Sequence, residues 1–226
     1  MTERIIFQTE DRVIIVGDYS APEKPKAAAL LLHMMPADRK SWASLSTELE
    51  AHDIASLAID LRGHGESIQK EDQTLNYQQF NDEQHGQSRL DVQAALFYLG
   101  KRGFALNQIA VIGASIGANL ALQAAVEHPE IPVVVLLSPG EDYRGIATYP
   151  LASQLRTEQA LLTMASQGDD QESYEAAKHI EQGAACKTKK LLTYTSAGHG
   201  TNLFLQDKKL PETIASWVEE RFASVL

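Results

Sequence analysis

The pentapeptide Gly113-Ala-Ser-Ile-Gly117 carries the strongest chemical signal in the sequence. It follows a segment with strand character, residues 108–112, and opens a segment with helical spacing, residues 116–127. Two glycines at this spacing allow a tight turn from strand to helix, where larger side chains would clash. Such a turn lifts the Ser115 hydroxyl out of the sheet and sets it at a helix N-terminus, which favours developing negative charge. The alternative is a turn of small residues that packs helix on sheet.

A histidine between two glycines, Gly198-His199-Gly200, follows the last strand-like segment, residues 190–194. The flexible backbone of this loop can aim the imidazole at Ser115, so His199 is the candidate general base. Without the serine turn, His199 would be an ordinary loop histidine. For His33 and His64, in other loops, we expect hydrogen bonds that brace the loop.

A carboxylate is needed to orient the neutral imidazole and to stabilise the imidazolium. The segment Gln167-Gly-Asp-Asp-Gln171 offers Asp169 and Asp170 directly after a strand-like segment, and Ser173 can cap the helix that follows. Both aspartates could instead be solvated turn residues. Glu141 and Asp142, one loop earlier, are a weaker alternative.

Strand-like and helical segments alternate from residue 27 to the end of the chain. This alternation predicts an α/β fold: a mostly parallel central sheet with helices on both faces. An N-terminal hairpin, residues 4–9 and 13–18, precedes it. Ligands of such sheets bind beyond the carboxyl ends of the strands. The serine, histidine and aspartate segments all follow predicted strands, so we expect them to meet at one edge.

Length and composition exclude several classes of function. A chain of 226 residues fits a single domain, 1–226, with short insertions near 68–84 and 138–159. The net charge of −10 argues against a nucleic-acid partner. The single cysteine, Cys186, permits no intrachain disulfide, and no metal-ligand or dinucleotide motif is present. We therefore expect neither a metal nor another cofactor.

The N-terminus lacks the apolar region of a signal peptide, and the longest apolar run falls far short of the roughly 20 residues that span a bilayer. We therefore expect a cytoplasmic protein that does not contact membranes, as a monomer or a homodimer.

The sequence resembles the α/β-hydrolase family over nearly its whole length. Besides the serine turn, His33-Met-Met-Pro36 is similar to the family's H-G-x-P-like loop, and residues 60–67, Asp-Leu-Arg-Gly-His-Gly-Glu-Ser, look like its D-x-R-G-x-G-x-S loop. The chain order of serine, acid and histidine also follows the family. The resemblance implies a catalytic triad of Ser115, an acid and His199. The family acid lies just ahead of a helix cap, which favours Asp170 over Asp169.

The resemblance also implies an oxyanion hole made of two backbone N–H groups. These carry over to Ile116, which follows the nucleophile, and to Met35, with Met34 as the alternative. Met34 stands where the family usually has glycine. We expect the two thioether side chains to narrow the acyl pocket.

These features predict a serine hydrolase that cleaves small soluble esters or thioesters. Only about 22 residues separate the strand-like segments on either side of the 138–159 insertion, too few for a helical lid domain. Tyr77 and Phe80 offer apolar contacts in the 68–84 loop. The alternatives are a thioesterase, a C–C or lactone hydrolase of the same fold, and a non-catalytic binding protein of that fold.

Overall fold

The computed structural model describes residues 2–223. Twelve strands lie in this range: β1 (Glu3–Gln8), β2 (Val13–Ser20), β3 (Ala27–Leu32), β4 (Ile54–Ile59), β5 (Gln69–Lys70), β6 (Gln73–Thr74), β7 (Ile109–Ala114), β8 (Val133–Leu137), β9 (Asp142–Tyr143), β10 (Ile146–Ala147), β11 (Ala160–Ser166) and β12 (Thr188–Tyr194). Eight α-helices accompany them: α1 (Ala43–Ala51), α2 (Asp82–Gly86), α3 (Arg89–Lys101), α4 (Ile116–Glu127), α5 (Tyr149–Ala152), α6 (Gln171–Gly183), α7 (Leu203–Gln206) and α8 (Leu210–Ala223).

The main sheet follows the order β12-β11-β8-β7-β3-β4-β2-β5-β6, and β1 pairs with β2. All neighbours from β12 to β4 are parallel, whereas β2 pairs antiparallel with β1, β4 and β5. This confirms the predicted mostly parallel sheet and its N-terminal hairpin. The carboxyl ends of β3, β7, β8, β11 and β12 therefore lie along one edge, with β7 between β3 and β8.

Side chains of the central strands alternate between two cores, as the period of two residues in a strand requires. In β3, Ala28, Leu30 and Leu32 pack into a cluster with residues of α3, α4 and α6. Ala29 and Leu31 point into a second cluster with residues of α1, α7 and α8. Each fully buried leucine contributes about 1.5–3 kcal/mol relative to an exposed one. Burial on both faces explains why these strands read as unbroken apolar runs.

Two local expectations differ from the structure. The segment 68–84, read as irregular, contains the short strands β5 and β6 and the start of α2. The helix expected to be capped by Ser173 begins two residues earlier, with Asp170 as its N-cap residue, and Ser173 is buried in its first turn. Among the described residues, none of the helices combines the length and apolar character needed to cross a membrane.

Candidate active site

Ser115 lies in a strained turn between β7 and α4. Its backbone has φ 54° and ψ −123°, the left-handed region that side chains rarely adopt, and the residue is 7% exposed. A Cβ on Gly113 would lie 2.0 Å from the Gly117 carbonyl oxygen, and one on Gly117 would lie 2.2 Å from the Leu32 carbonyl oxygen. Both glycines are therefore required by close backbone approach, and the turn brings Ser115 to the edge where the neighbouring strands end.

His199 lies against Asp170 at the same edge. The Nδ1 atom of His199 is 2.8 Å from a carboxylate oxygen of Asp170, and the two side chains are 32% and 11% exposed. Burial raises the pKa of Asp170, but hydrogen bonds with His199, Ser138 and Ser173 outweigh it and leave the pKa below its ordinary value. Asp170 is therefore a carboxylate at neutral pH. It can fix the imidazole tautomer with its proton on Nδ1 and leave Nε2 as the basic nitrogen.

Asp169, the other aspartate of this loop, braces the histidine loop from outside. Its carboxylate accepts hydrogen bonds from the Ser166 hydroxyl, from the Ser196 hydroxyl at 2.8 Å and from the Gly198 N–H at 3.0 Å. These bonds lower the pKa of Asp169 to about 2. The two neighbouring aspartates thus have different contacts: Asp170 binds the imidazole, and Asp169 binds the backbone and hydroxyls around it.

The loop that carries His199 packs on the strand end that carries Ser115. The Gly200 N–H donates to the Ser138 hydroxyl at 2.9 Å. A Cβ on Gly200 would lie 2.5 Å from the Met34 sulfur and 3.5 Å from the Ala114 Cβ. Met34 therefore packs against the histidine loop and the second core cluster. The methionine that stands where the family usually has glycine thus contacts that loop, and its effect on the acyl pocket stays a prediction.

Tyr143 completes this side of the site, although no pattern in the sequence points to it. It lies in the β9–β10 hairpin, which follows β8, and its hydroxyl is 3.0 Å from the Ser173 hydroxyl. Its ring stands nearly perpendicular to the His199 ring, with centroids 6.3 Å apart. Burial raises the pKa of Tyr143, so the phenol keeps its proton at neutral pH.

His33 orients the loop on the opposite side of Ser115. Its Nδ1 lies 2.9 Å from the Met34 carbonyl oxygen, which can only accept, and its Nε2 accepts from the Leu61 N–H at 3.0 Å. The carbonyl and the next N–H of a trans peptide point in opposite directions, so the Met35 N–H points away from His33. Burial lowers the pKa of His33 to about 4, which keeps the ring neutral and this arrangement intact. The expected bracing role is confirmed.

A buried ion-pair network stabilises the loops on the same side of Ser115 as His33. Asp60, at the end of β4, accepts from the Arg39 N–H at 2.8 Å, from the Arg39 guanidinium at 2.5 Å and from the Glu66 N–H at 2.8 Å. Its side chain is 0% exposed and that of Arg39 is 5% exposed. Tyr77, which was expected to offer an apolar contact in the 68–84 loop, stacks on His64 with ring centroids 3.9 Å apart.

The structure thus brings Ser115, His199 and Asp170 to one edge of the sheet, with Ile116 directly after the serine and Met35 in the loop that follows β3. It leaves Glu141 and Asp142 apart from the imidazole of His199. Glu141 contacts His179 at 2.9 Å, and Asp142 accepts from the Gly145 N–H at 2.7 Å. Ser138, Ser173 and Tyr143 are polar residues beside Asp170 and His199 whose place in the site sequence reasoning missed.

Comparisons with known proteins agree with this architecture. Residues 23–166 match the family model described as serine aminopeptidase, S33. None of the curated proteins matches the sequence significantly.

Similar solved structures include several esterases. The esterase domain of a Rhodothermus marinus protein has 17% sequence identity and a TM-score of 0.75, over 97% of this chain and 98% of that one. An esterase of Pyrococcus furiosus has 18% identity and a TM-score of 0.75, over 98% and 93%. An esterase of Exiguobacterium antarcticum has 12% identity and a TM-score of 0.73, over 96% and 100%. At these identities the likeness establishes the fold.

Proposed function

Because the chain belongs to the serine aminopeptidase S33 family of α/β-hydrolases, we propose that it is a serine hydrolase that cleaves small soluble carboxylic esters through an acyl-enzyme on Ser115. The observation that carries this proposal is the meeting of two features at one edge of the sheet. A serine stands in a strained strand-to-helix turn, and a histidine is held by a buried carboxylate 2.8 Å away.

The mechanism follows from these groups. Nε2 of His199 takes the proton of Ser115 as its oxygen attacks the ester carbonyl carbon. The imidazolium returns that proton to the leaving alkoxide as the carbon–oxygen bond breaks, and Asp170 stabilises the positive ring meanwhile. His199 then takes a proton from water as the water oxygen attacks the acyl-enzyme, and it gives that proton to the Ser115 oxygen as the acyl–oxygen bond breaks and the acid is released.

Two backbone N–H groups hold the oxyanion in this proposal. That of Ile116 is free because it begins α4, where no carbonyl lies one turn earlier to accept it. That of Met35 is favoured over Met34 because the bond from His33 to the Met34 carbonyl turns the Met35 N–H the other way. Two preorganised donors of this type are the expected source of most transition-state stabilisation.

The connection from β8 to β11 favours small substrates. It contains the two-residue strands β9 and β10 and the single-turn helix α5. Asn119 of α4 ties this connection down, since its amide donates to the Ile146 carbonyl at 2.6 Å and accepts from the Gly140 N–H at 3.1 Å. A short, tethered connection leaves an open site without the broad apolar lid that long-chain lipid substrates use.

Ester and thioester substrates with acyl chains of two to about ten carbons test the substrate class. We expect turnover that falls with chain length for the purified protein and loss of turnover in Ser115→Ala, because the nucleophile is absent. Turnover by Ser115→Ala equal to that of the wild type would assign the activity to another group. Preference for thioesters over oxygen esters of the same acid would move the assignment to a thioesterase.

A further inference from the structure

The end of strand β8 contacts the backbone of both the serine turn and the histidine loop. The Ser115 N–H donates to the carbonyl oxygen of Leu137, the last residue of β8, at 2.9 Å. The Gly200 N–H, which belongs to the peptide that follows His199, donates to the hydroxyl of Ser138 at 2.9 Å. Two consecutive residues therefore bind the backbone of the candidate nucleophile and of the candidate base.

Ser138 is itself held in place by its backbone and by burial. Its N–H donates to the Met164 carbonyl oxygen of β11 at 2.8 Å, and the residue is 0% exposed. Its φ of 49° lies in the left-handed region, which glycine adopts readily and other residues rarely adopt. Residues strained in this way persist only where the surrounding structure holds them, and they cluster at functional sites. Glycine would suit this backbone better than serine, which points to a role for the hydroxyl.

The loop around His199 depends on hydrogen bonds because its own backbone is permissive. Gly198 and Gly200 flank the histidine, with φ of 80° and 59°. Glycine adopts many other conformations as readily, so local sterics do not fix the imidazole. Before the histidine, the Gly198 N–H donates to Asp169 at 3.0 Å, and after it the Gly200 N–H donates to Ser138. The loop is thus restrained on both sides of the ring, and Ser138 supplies its link to the end of β8.

We propose that Ser138 is a positioning residue, which keeps Nε2 of His199 within reach of the Ser115 hydroxyl by binding the peptide that follows the imidazole. This inference rests on the proposed serine hydrolase function. Ser138 takes up no proton and makes no bond to the substrate, and its effect passes through the position of the ring. A displacement of about 1 Å near the reacting groups can cost about 10²-fold in rate. Loss of the hydroxyl should therefore act on kcat and leave substrate binding almost unchanged.

Ser138→Ala tests the hydroxyl, because it removes the acceptor of the Gly200 N–H and keeps the Cβ. On one activated ester, we expect kcat to fall by about 10- to 100-fold, with KM within about threefold of the wild-type value. The matched control is Ser56→Ala in β4. Ser56 is 1% exposed, and its hydroxyl has no hydrogen-bond partner among the described residues. Its removal leaves no donor or acceptor unsatisfied, so kcat should change by less than about threefold.

Ser138→Gly separates the hydroxyl from the strained backbone. Glycine adopts a φ of 49° without strain, so this variant tests the hydroxyl even where Ser138→Ala fails to fold. We expect it to be as slow as Ser138→Ala, because the Gly200 N–H again lacks its acceptor. Turnover restored to the wild-type level by glycine would overturn the role of the hydroxyl. Urea unfolding of all three variants checks that each is folded.

Two further outcomes would overturn the proposal. A folded Ser138→Ala with kcat close to that of the wild type would show that the histidine loop does not need this bond. A raised KM at unchanged kcat would assign Ser138 to substrate binding instead. Fluorophosphonate labelling distinguishes failure of this inference from failure of the proposed function. Equal labelling rates for wild type and Ser138→Ala refute only the role of Ser138, whereas an unlabelled wild type refutes the hydrolase itself.

Discussion

On the β3–β4 side of Ser115, buried charge and buried neutral imidazole hold the backbone. Asp60 and Arg39 form an ion pair with almost no exposure, and His33 bridges two loops. On the β8–β11 side, hydroxyls and a half-exposed imidazole meet around Asp170. In the proposed mechanism, the first side supplies the Met35 N–H, which must stay fixed, and the second side gains and loses a proton in each cycle. Rigidity and access to solvent are thus divided between the two halves of one site.

The largest effect expected comes from the proton-transfer side. Asp170→Asn removes the charge that stabilises the imidazolium and favours the wrong tautomer, so we expect kcat to fall by about 10⁴. Asp169→Asn is its matched control, since Asp169 contacts the loop and not the ring, and it should cost about tenfold or less. Initial rates on one activated ester measure both. The opposite ranking would make Asp169 the triad acid.

The second-largest effect is expected on the β3–β4 side and concerns the free energy of unfolding. Asp60→Asn removes the fully buried carboxylate from the Arg39 guanidinium, which keeps Asp18 and Glu66 as partners, and it should lower the free energy of unfolding by about 1–3 kcal/mol. Glu3→Gln breaks an exposed ion pair with Arg102 and should change the free energy of unfolding by less than about 1 kcal/mol. Urea unfolding of both variants gives the two values. Equal, small changes would mean that the buried pair does not hold this side together.

The pH dependence of the unfolding free energy tests the β3–β4 side of the site, where His33 is buried. The pKa of His33 falls from its ordinary 6.5 to about 4 on burial, so the unfolded chain binds more protons between these values. The contribution of His33 to stability is therefore present above pH 6.5 and is lost as the pH falls to about 4. In His33→Gln, unfolding free energies measured over this range should show a shallower decline. Parallel curves for variant and wild type would place the pH dependence elsewhere.

The smallest effect is expected where Met34, on the β3–β4 side, contacts Gly200 in the histidine loop. Met34→Ala removes the sulfur that packs beside Gly200, leaving a gap under the histidine loop. For this partly buried side chain we expect a loss of about 1–2 kcal/mol in unfolding free energy, with kcat lowered severalfold. Met34→Leu, which conserves volume, should restore most of both. A changed preference for acyl length at unchanged kcat would return Met34 to the acyl pocket.

The parts of this site that the sequence predicts are those set by local backbone chemistry. Gly113 and Gly117 define the serine turn within five residues, and the apolar runs define the parallel strands around it. The residues of the loop alone leave the choice between Asp169 and Asp170 open, because neighbouring residues point in different directions that the fold determines, and only the family resemblance favours Asp170. Tyr143 could not be found, since a hairpin of two-residue strands, tethered by Asn119 in another element, brings it to Ser173 and His199.

The support given by Met34 was beyond sequence reasoning for a similar reason. Its packing depends on Gly200, 166 positions away in the chain. The same holds for Ser138, which contributes to the lowered pKa of Asp170 from a loop 32 positions earlier in the chain. Long-range contacts of this kind leave no periodic pattern in the sequence.

Intact mass after treatment with a fluorophosphonate tests most directly whether Ser115 is an activated nucleophile. Such reagents need both a basic histidine and an oxyanion hole to react. We predict one adduct per chain, located on the peptide that contains Ser115. Ser115→Ala should give no adduct, and Asp170→Asn should react much more slowly than Asp169→Asn. An unmodified wild-type protein, or an adduct on any other residue, would contradict the account.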